Sequence, residues 1–193
     1  MPRTEVFDRP KVLEKVRDLF WNKGYNGTSM QDLVETTGLN RSSFYNSFGN
    51  KLTLYKLVLK EYQEASQSIF DEALLRANSP MQAIQFIFEN FIDEIINDRE
   101  GKGCFSMNCK AEMGRSNEEI KSYLEKVQER TIGFFKDLVE EGQHHGIINT
   151  NETSEHYAYY LFSAFQGLRM TGMLVRDREK LQHIVGNTMQ ILI

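Results

Sequence analysis

Apolar residues recur at helical spacing along almost the whole chain. Val12, Val16, Leu19 and Phe20 share one face of a helix that starts near Asp8, a candidate N-cap. Pro10 falls in its first turn, where a missing N–H does no harm, and Gly24 supplies a left-handed stop. Thr28-Ser29-Met30-Gln31-Asp32 opens a short second helix that ends at Gly38, with either Thr28 and Gln31 or Ser29 and Asp32 closing a capping box. Asn40 caps a third helix over residues 41–48, and Gly49-Asn50 breaks it before a long fourth helix to about residue 77. Asn78-Ser79-Pro80 pairs a cap with proline at the first helical position and opens a fifth helix to about residue 97. A polar loop, a short helix over 104–113 and a long helix from Ser116 to about His144 follow. Two more helices, over 153–176 and 178–192, end the chain. Alternating strands around a glycine turn occur nowhere, so the pattern predicts an all-α protein of about nine helices.

Composition narrows the class. The 193 residues are 40% hydrophobic and 26% charged, which suits a folded protein with a small domain beside a larger one. No window holds the roughly 20 apolar residues of a membrane span, and residues 1–5 lack the apolar stretch of a signal peptide. A cytoplasmic protein without membrane partners is expected. Cys104 and Cys109, the two cysteines, do not make a disulfide framework. Net charge is −4, which by itself disfavours nucleic acid. Its distribution reverses that reading. Residues 1–60 hold ten Lys/Arg against six Asp/Glu, and residues 61–193 hold thirteen against twenty-one. A basic head on an acidic body confines phosphate attraction to one end.

Two short helices joined at Gly38 have the anatomy of a helix-turn-helix, here over about residues 28–48. Leu33, Val34, Leu39 and Phe44 hold the pair against the first helix. Arg41, Ser42, Ser43, Tyr45 and Asn46 then project from the amino-terminal part of the third, where a recognition helix reads the major groove. Arg41 is long enough for a phosphate or a guanine edge, and Ser42 and Ser43 are short donors. Tyr45 offers a hydroxyl and a ring. Lys51, at the start of the fourth helix, suits a backbone phosphate. The helix start at Thr28 adds hydroxyl and N–H donors.

The run Gly24-Tyr25, Thr28-Ser29-Met30, Leu33-Val34, Gly38-Leu39, Ser43-Phe44-Tyr45, Phe48 and Lys51-Leu52 resembles the DNA-binding domain of the TetR/AcrR regulators. The match covers about residues 5–65, leaving 66–193 as a ligand-binding and dimerisation domain. The resemblance implies that Thr28 or Ser29 meets phosphate, Gln31 enters the groove, Ser43 and Tyr45 touch DNA, and Lys51 binds phosphate. Asn46 and Ser47 stand where the family usually carries an aromatic and a histidine, and Leu52 replaces a frequent acidic residue.

The second domain is larger than DNA binding needs. The resemblance implies a ligand cavity between its helices, and such pockets are aromatic-lined with a few polar groups. The candidates are Phe91, Phe134, Tyr160, Phe165, Asn108, Gln166 and Arg169. Cys104, at a helix start beside Lys102, resembles the thiol with which a subset of the family senses electrophiles. The last two helices are expected to pair with a second subunit. Ala164, Gly167 and Gly172 allow close approach there, and Leu168, Leu181, Ile184 and Val185 supply apolar area. His144 and His145 are adjacent and diverge on a helix, so neither metal nor cofactor is expected. The function so read is a repressor released from palindromic double-stranded operator DNA by a small molecule or electrophile. The competing classes are a cysteine-dependent enzyme, for which no histidine sits in a recognisable arrangement with Cys104, and a helical interaction protein that does not bind DNA.

Overall fold

The computed structural model describes residues 7–193. The chain start, and the first two residues of the domain drawn from residue 5, lie outside the described residues. Among the described residues there are nine helices and no strand: α1 (Arg9–Gly27), α2 (Met30–Thr37), α3 (Arg41–Phe48), α4 (Lys51–Arg76), α5 (Pro80–Asn97), α6 (Phe105–Met113), α7 (Glu118–His144), α8 (Ser154–Gly172) and α9 (Arg178–Gln190). They divide into two units. The first takes the chain to residue 65 together with residues 105–122, and the second takes 66–104 and 123–193. Residues 105–122, grouped with the larger domain from sequence, therefore pack with the amino-terminal helices.

Local chemistry sets the helix ends of the first unit. The Asp8 carboxylate accepts the Lys11 N–H, and Pro10 sits in the first turn of α1. Gly24 does not end α1 but kinks it: its φ is +72° and helical bonding resumes to Gly27. Of the two capping boxes open in the sequence, Ser29 with Asp32 forms. Gly38 closes α2 in the left-handed region, and the Asn40 side chain caps α3 by accepting the Ser43 N–H at 2.9 Å. Val16, Phe20, Leu33, Phe44, Leu54, Val58 and Leu59 fill the core of this unit. α6 joins it through Phe105, whose ring lies 5.6–5.7 Å from those of Trp21, Tyr55 and Tyr62. Cys109 is fully buried and hydrogen-bonds the Tyr55 hydroxyl, whose pKa is pushed up, chiefly by burial.

The second unit is built on an aromatic centre. Phe70, Phe88, Phe91, Phe135 and Phe165 are buried and meet mostly edge to face, the shortest centroid distance being 4.7 Å between Phe91 and Phe165. α5, α8 and α9 pack on one another around it. Gly172 lets α8 come close to α5: a Cβ there would stand 2.6 Å from Ile95. The close approach expected of Gly172 between subunits is thus used inside one protomer. The same correction holds for Leu168, Leu181 and Val185. Expected at a subunit seam, they are 0%, 0% and 5% exposed, facing the core of their own unit. Ala164 and Ile184 are partly buried against that core, and Gly167 is exposed.

Candidate nucleic-acid interface

Phe44 and Phe48 are buried on one side of α3, and this turns the other side outward. Arg41, Ser42, Tyr45 and Asn46 are exposed there, and Ser43 is half-buried beside the Asn40 cap. Tyr45 is 50% exposed, its ring set edge-on against Phe44 at 5.8 Å. Arg41 makes no side-chain hydrogen bond or ion pair among the described residues. The row joins a guanidinium, two hydroxyls, a phenol and an amide on less than two helical turns, a donor-rich edge on a helix of the kind a major groove admits.

The amino-terminal side of α2 is more constrained than the sequence suggested. Thr28 is 1% exposed and its hydroxyl donates to the Gly24 carbonyl at 2.7 Å, so it points inward rather than at phosphate. Ser29 is exposed, but its hydroxyl already caps α2, accepting the Asp32 N–H at 3.0 Å. Gln31 is exposed and reaches Glu35 at 2.7 Å. Lys51 donates from Nζ to the Thr28 carbonyl and lies 4.3 Å over the Tyr25 ring, leaving two of its three N–H donors for other acceptors. Burial pulls its pKa down, and the nearby Glu112 and Asp32 charges oppose that.

Two participants gave no sequence signal. Lys23 pairs with Asp32 at 2.7 Å, and with the Ser29 N–H and hydroxyl this holds the Asp32 carboxyl well below the usual carboxylate range. A depressed folded-state pKa means that stability is gained above the unfolded value and lost as pH falls toward the folded one. Asp32→Asn is therefore expected to lower the Tm at neutral pH and to flatten its fall between about pH 5 and pH 3, as thermal melts across that range will show. The other participant is Glu112 of α6, which accepts backbone N–H groups of Tyr25 and Asn26.

The residues read as a ligand site separate. Phe91 and Phe165 are buried in ring contact, and Phe134 packs at the edge of the same cluster. The Arg169 guanidinium lies 4.6 Å over Phe91 and 5.5 Å over Phe165, with the Glu94 carboxylate at 4.0 Å. Gln166 is half-buried, and Tyr160 is 37% exposed on the outer side of α8. Asn108 belongs to the first unit. Cys104 is buried immediately before α6. The second unit also has an open cleft of about 400 Å³, lined by Leu74, Ala77, Leu138 and Ile147 with Glu141 and His145; none of the expected ligand residues borders it. No group of three or more His, Cys, Asp or Glu able to hold a metal occurs among the described residues, and no described helix is long and apolar enough to cross a membrane.

Comparison with known proteins places this geometry. Residues 12–58 match the model of bacterial regulatory proteins of the tetR family, and residues 80–187 match that of the tetracyclin repressor-like C-terminal domain. The chain is 30% identical to the HTH-type transcriptional repressor ComR of Escherichia coli K12, covering 98% of this chain and 90% of that one. It is 27% identical to the uncharacterised HTH-type regulator YezE of Bacillus subtilis over the full length of both. Among solved structures, a cysteine mutant of the TetR-family regulator CifR complexed with double-stranded operator DNA superposes with a TM-score of 0.84 at 22% identity, covering 97% of this chain and 98% of that one. Reduced NemR of Escherichia coli gives 0.82 at 19% identity, covering 96% of each. These structural likenesses establish the fold. With an outward-facing α3 row and family models matching both parts of the chain, this protein belongs to the TetR family of helix-turn-helix, DNA-binding transcription regulators.

Proposed function

We propose that the chain is a repressor that binds a two-fold symmetric operator as a homodimer and leaves it when a small molecule engages the second unit. The observation that carries this reading is the exposed row Arg41, Ser42, Tyr45 and Asn46 on α3, backed by buried Phe44 and Phe48. One recognition helix reads only a few base pairs, so two must act together across successive major grooves about 34–36 Å apart. The outer faces of α8 and α9 suit a second subunit. Tyr160, Gly167, Met170 and Leu174 form an exposed stripe at helical spacing along α8 and just beyond it, Leu174 being 93% exposed. Gly167 and Gly186 have nothing within 4 Å of where a Cβ would stand, room enough for a partner helix. On this reading Ala164, Gly167 and Ile184 belong to the seam, and Leu168, Leu181 and Val185, buried in their own unit, do not.

For the effector, Arg169 on the faces of Phe91 and Phe165 is the polar group best placed to meet a ligand at the aromatic centre, with Phe134 at the edge of that cluster and Gln166 half-buried on the same helix as Arg169. Cys104 offers the covalent alternative, an electrophile-responsive thiol. Either ligand has to favour a state whose recognition helices no longer match the two grooves. The family is one of regulators rather than enzymes, and a cytoplasmic location follows from its work on DNA.

A gel shift on the DNA upstream of the chain's own coding region, run at several salt concentrations, tests the reading. Binding is expected to weaken steeply with salt as counterions return to the phosphates. Lys51→Ala is expected to weaken binding to operator and random DNA alike and to make the log–log salt slope shallower by about one. An unchanged slope confines Lys51 to the Thr28 carbonyl. Absence of salt-dependent binding by the parent protein favours the interaction-protein reading.

A further inference from the structure

Glu112 lies on α6, outside the helix-turn-helix, yet both of its carboxylate oxygens are spent on the turn that leads into it. Oε2 accepts the Tyr25 N–H at 2.8 Å and Oε1 accepts the Asn26 N–H at 2.7 Å. Gly24 makes the arrangement possible in two ways. Its φ of +72° aims the following N–H groups at one point, and a Cβ there would stand 2.9 Å from Oε2. The same turn is held from α4, where Lys51 donates to the Thr28 carbonyl. Ser29, the next residue, caps α2, and α2 packs on α3. α6 in turn is fixed within the first unit by the Phe105 ring contacts and by a hydrogen bond from Gln63 of α4 to Ser106.

We propose that Glu112 is a positioning residue for DNA binding: through the Tyr25 and Asn26 amides it sets where the helix-turn-helix begins relative to α6. The inference rests on the DNA-binding reading above. It has a signature that simple electrostatics lacks. A carboxylate in the basic head repels a polyanion, so Coulomb's law alone has its removal tighten DNA binding. Loss of positioning weakens it instead. The sign of the change separates the two.

The test uses the full-length protein and its Glu112→Gln and Glu112→Asp variants. Glutamine keeps the size but loses the charge and turns a donor toward one of the two N–H groups. Aspartate keeps the charge but is shorter by one methylene and cannot span both. Three readouts are taken: amide ¹H–¹⁵N shifts of Tyr25 and Asn26, affinities for operator and for random duplex, and the salt slope. Both variants are expected to move the two amide protons upfield. Operator affinity is expected to fall at least about tenfold, the scale of one charge-assisted hydrogen bond, and random-duplex affinity by much less. The salt slope is expected to stay constant, since no phosphate contact is removed. Operator binding by Glu112→Gln as tight as the parent's, or tighter, overturns the proposal, as do unmoved amide signals. Should the glutamine protein not fold, Glu112→Asp decides by the same measures. Failure of the parent itself to bind DNA overturns the repressor reading instead, and the amide shifts then still report whether Glu112 holds the turn.

Discussion

Glutamate at Leu168 is expected to leave no folded protein, whereas glutamate at the adjacent Gly167 is expected to leave the fold intact and split the proposed dimer. The two side chains leave α8 about 100° apart. Leu168 is 0% exposed in the core that includes Phe165, Leu181 and Val185. An unpaired carboxylate there costs several kcal/mol, a large part of the roughly 5–15 kcal/mol that holds a domain together. Gly167 is exposed with nothing within 4 Å of a Cβ, and its φ is not positive, so a side chain enters without strain inside one protomer. Two glutamates facing each other across a two-fold seam repel. Separated half-site readers lose the advantage of linked binding, about 10²–10⁴-fold in operator affinity. Sedimentation velocity and operator titration check both halves. A Gly167→Glu protein that stays dimeric and binds operator normally would place the seam elsewhere.

The second large effect is expected on the recognition helix. Arg41→Ala and Tyr45→Ala should each cost about 1–3 kcal/mol on operator DNA and clearly less on random duplex. Neither substitution disturbs the unit. Arg41 is exposed and Tyr45 is half-exposed, while the adjacent Phe44 keeps the helix seated. Stability should therefore stay near the parent's, and the loss belongs to the DNA complex. Competition of each variant between operator and random duplex at one salt concentration measures it. Equal losses on both DNAs would mean that these residues only orient the protein on the phosphates.

Much of the fold was legible because its determinants are local. Asp8, Ser29, Asn40 and Ser79 announce helix starts through their own side-chain chemistry, and Gly38 and Gly49 announce ends through positive φ. The α3 row was legible for the same reason: two buried phenylalanines four residues apart leave only one face for Arg41 and Tyr45. Leu168 was expected at a subunit seam rather than in its own core because α8 is apolar on both sides. Tyr157, Leu161, Phe165 and Leu168 are buried, yet Tyr159, Tyr160 and Met170 are exposed, and periodicity cannot say which face meets the chain's own core. The place of α6 was hidden for another reason. Its partners are Trp21, Tyr55 and the Tyr25 and Asn26 amides at the end of α1, distant in sequence and marked by no spacing. Thr28 or Ser29 was expected at phosphate from the helix start and the family resemblance, and the Thr28 hydroxyl instead donates to the Gly24 carbonyl.

The grip of Glu112 is on backbone, and this decides which positions are at liberty to drift. Asn26 offers only its N–H and its side chain is exposed, so in a saturation library that position should accept every residue except proline, which has no N–H to give. Gly24 carries the opposite burden: at its φ of +72° any side chain is strained, and a Cβ would also meet a Glu112 oxygen at 2.9 Å, so it should tolerate almost nothing. Shrinking residue 112 should not rescue a larger residue at 24, because the backbone strain remains, so a fixed glycine and a permissive site should stand two residues apart on the same turn.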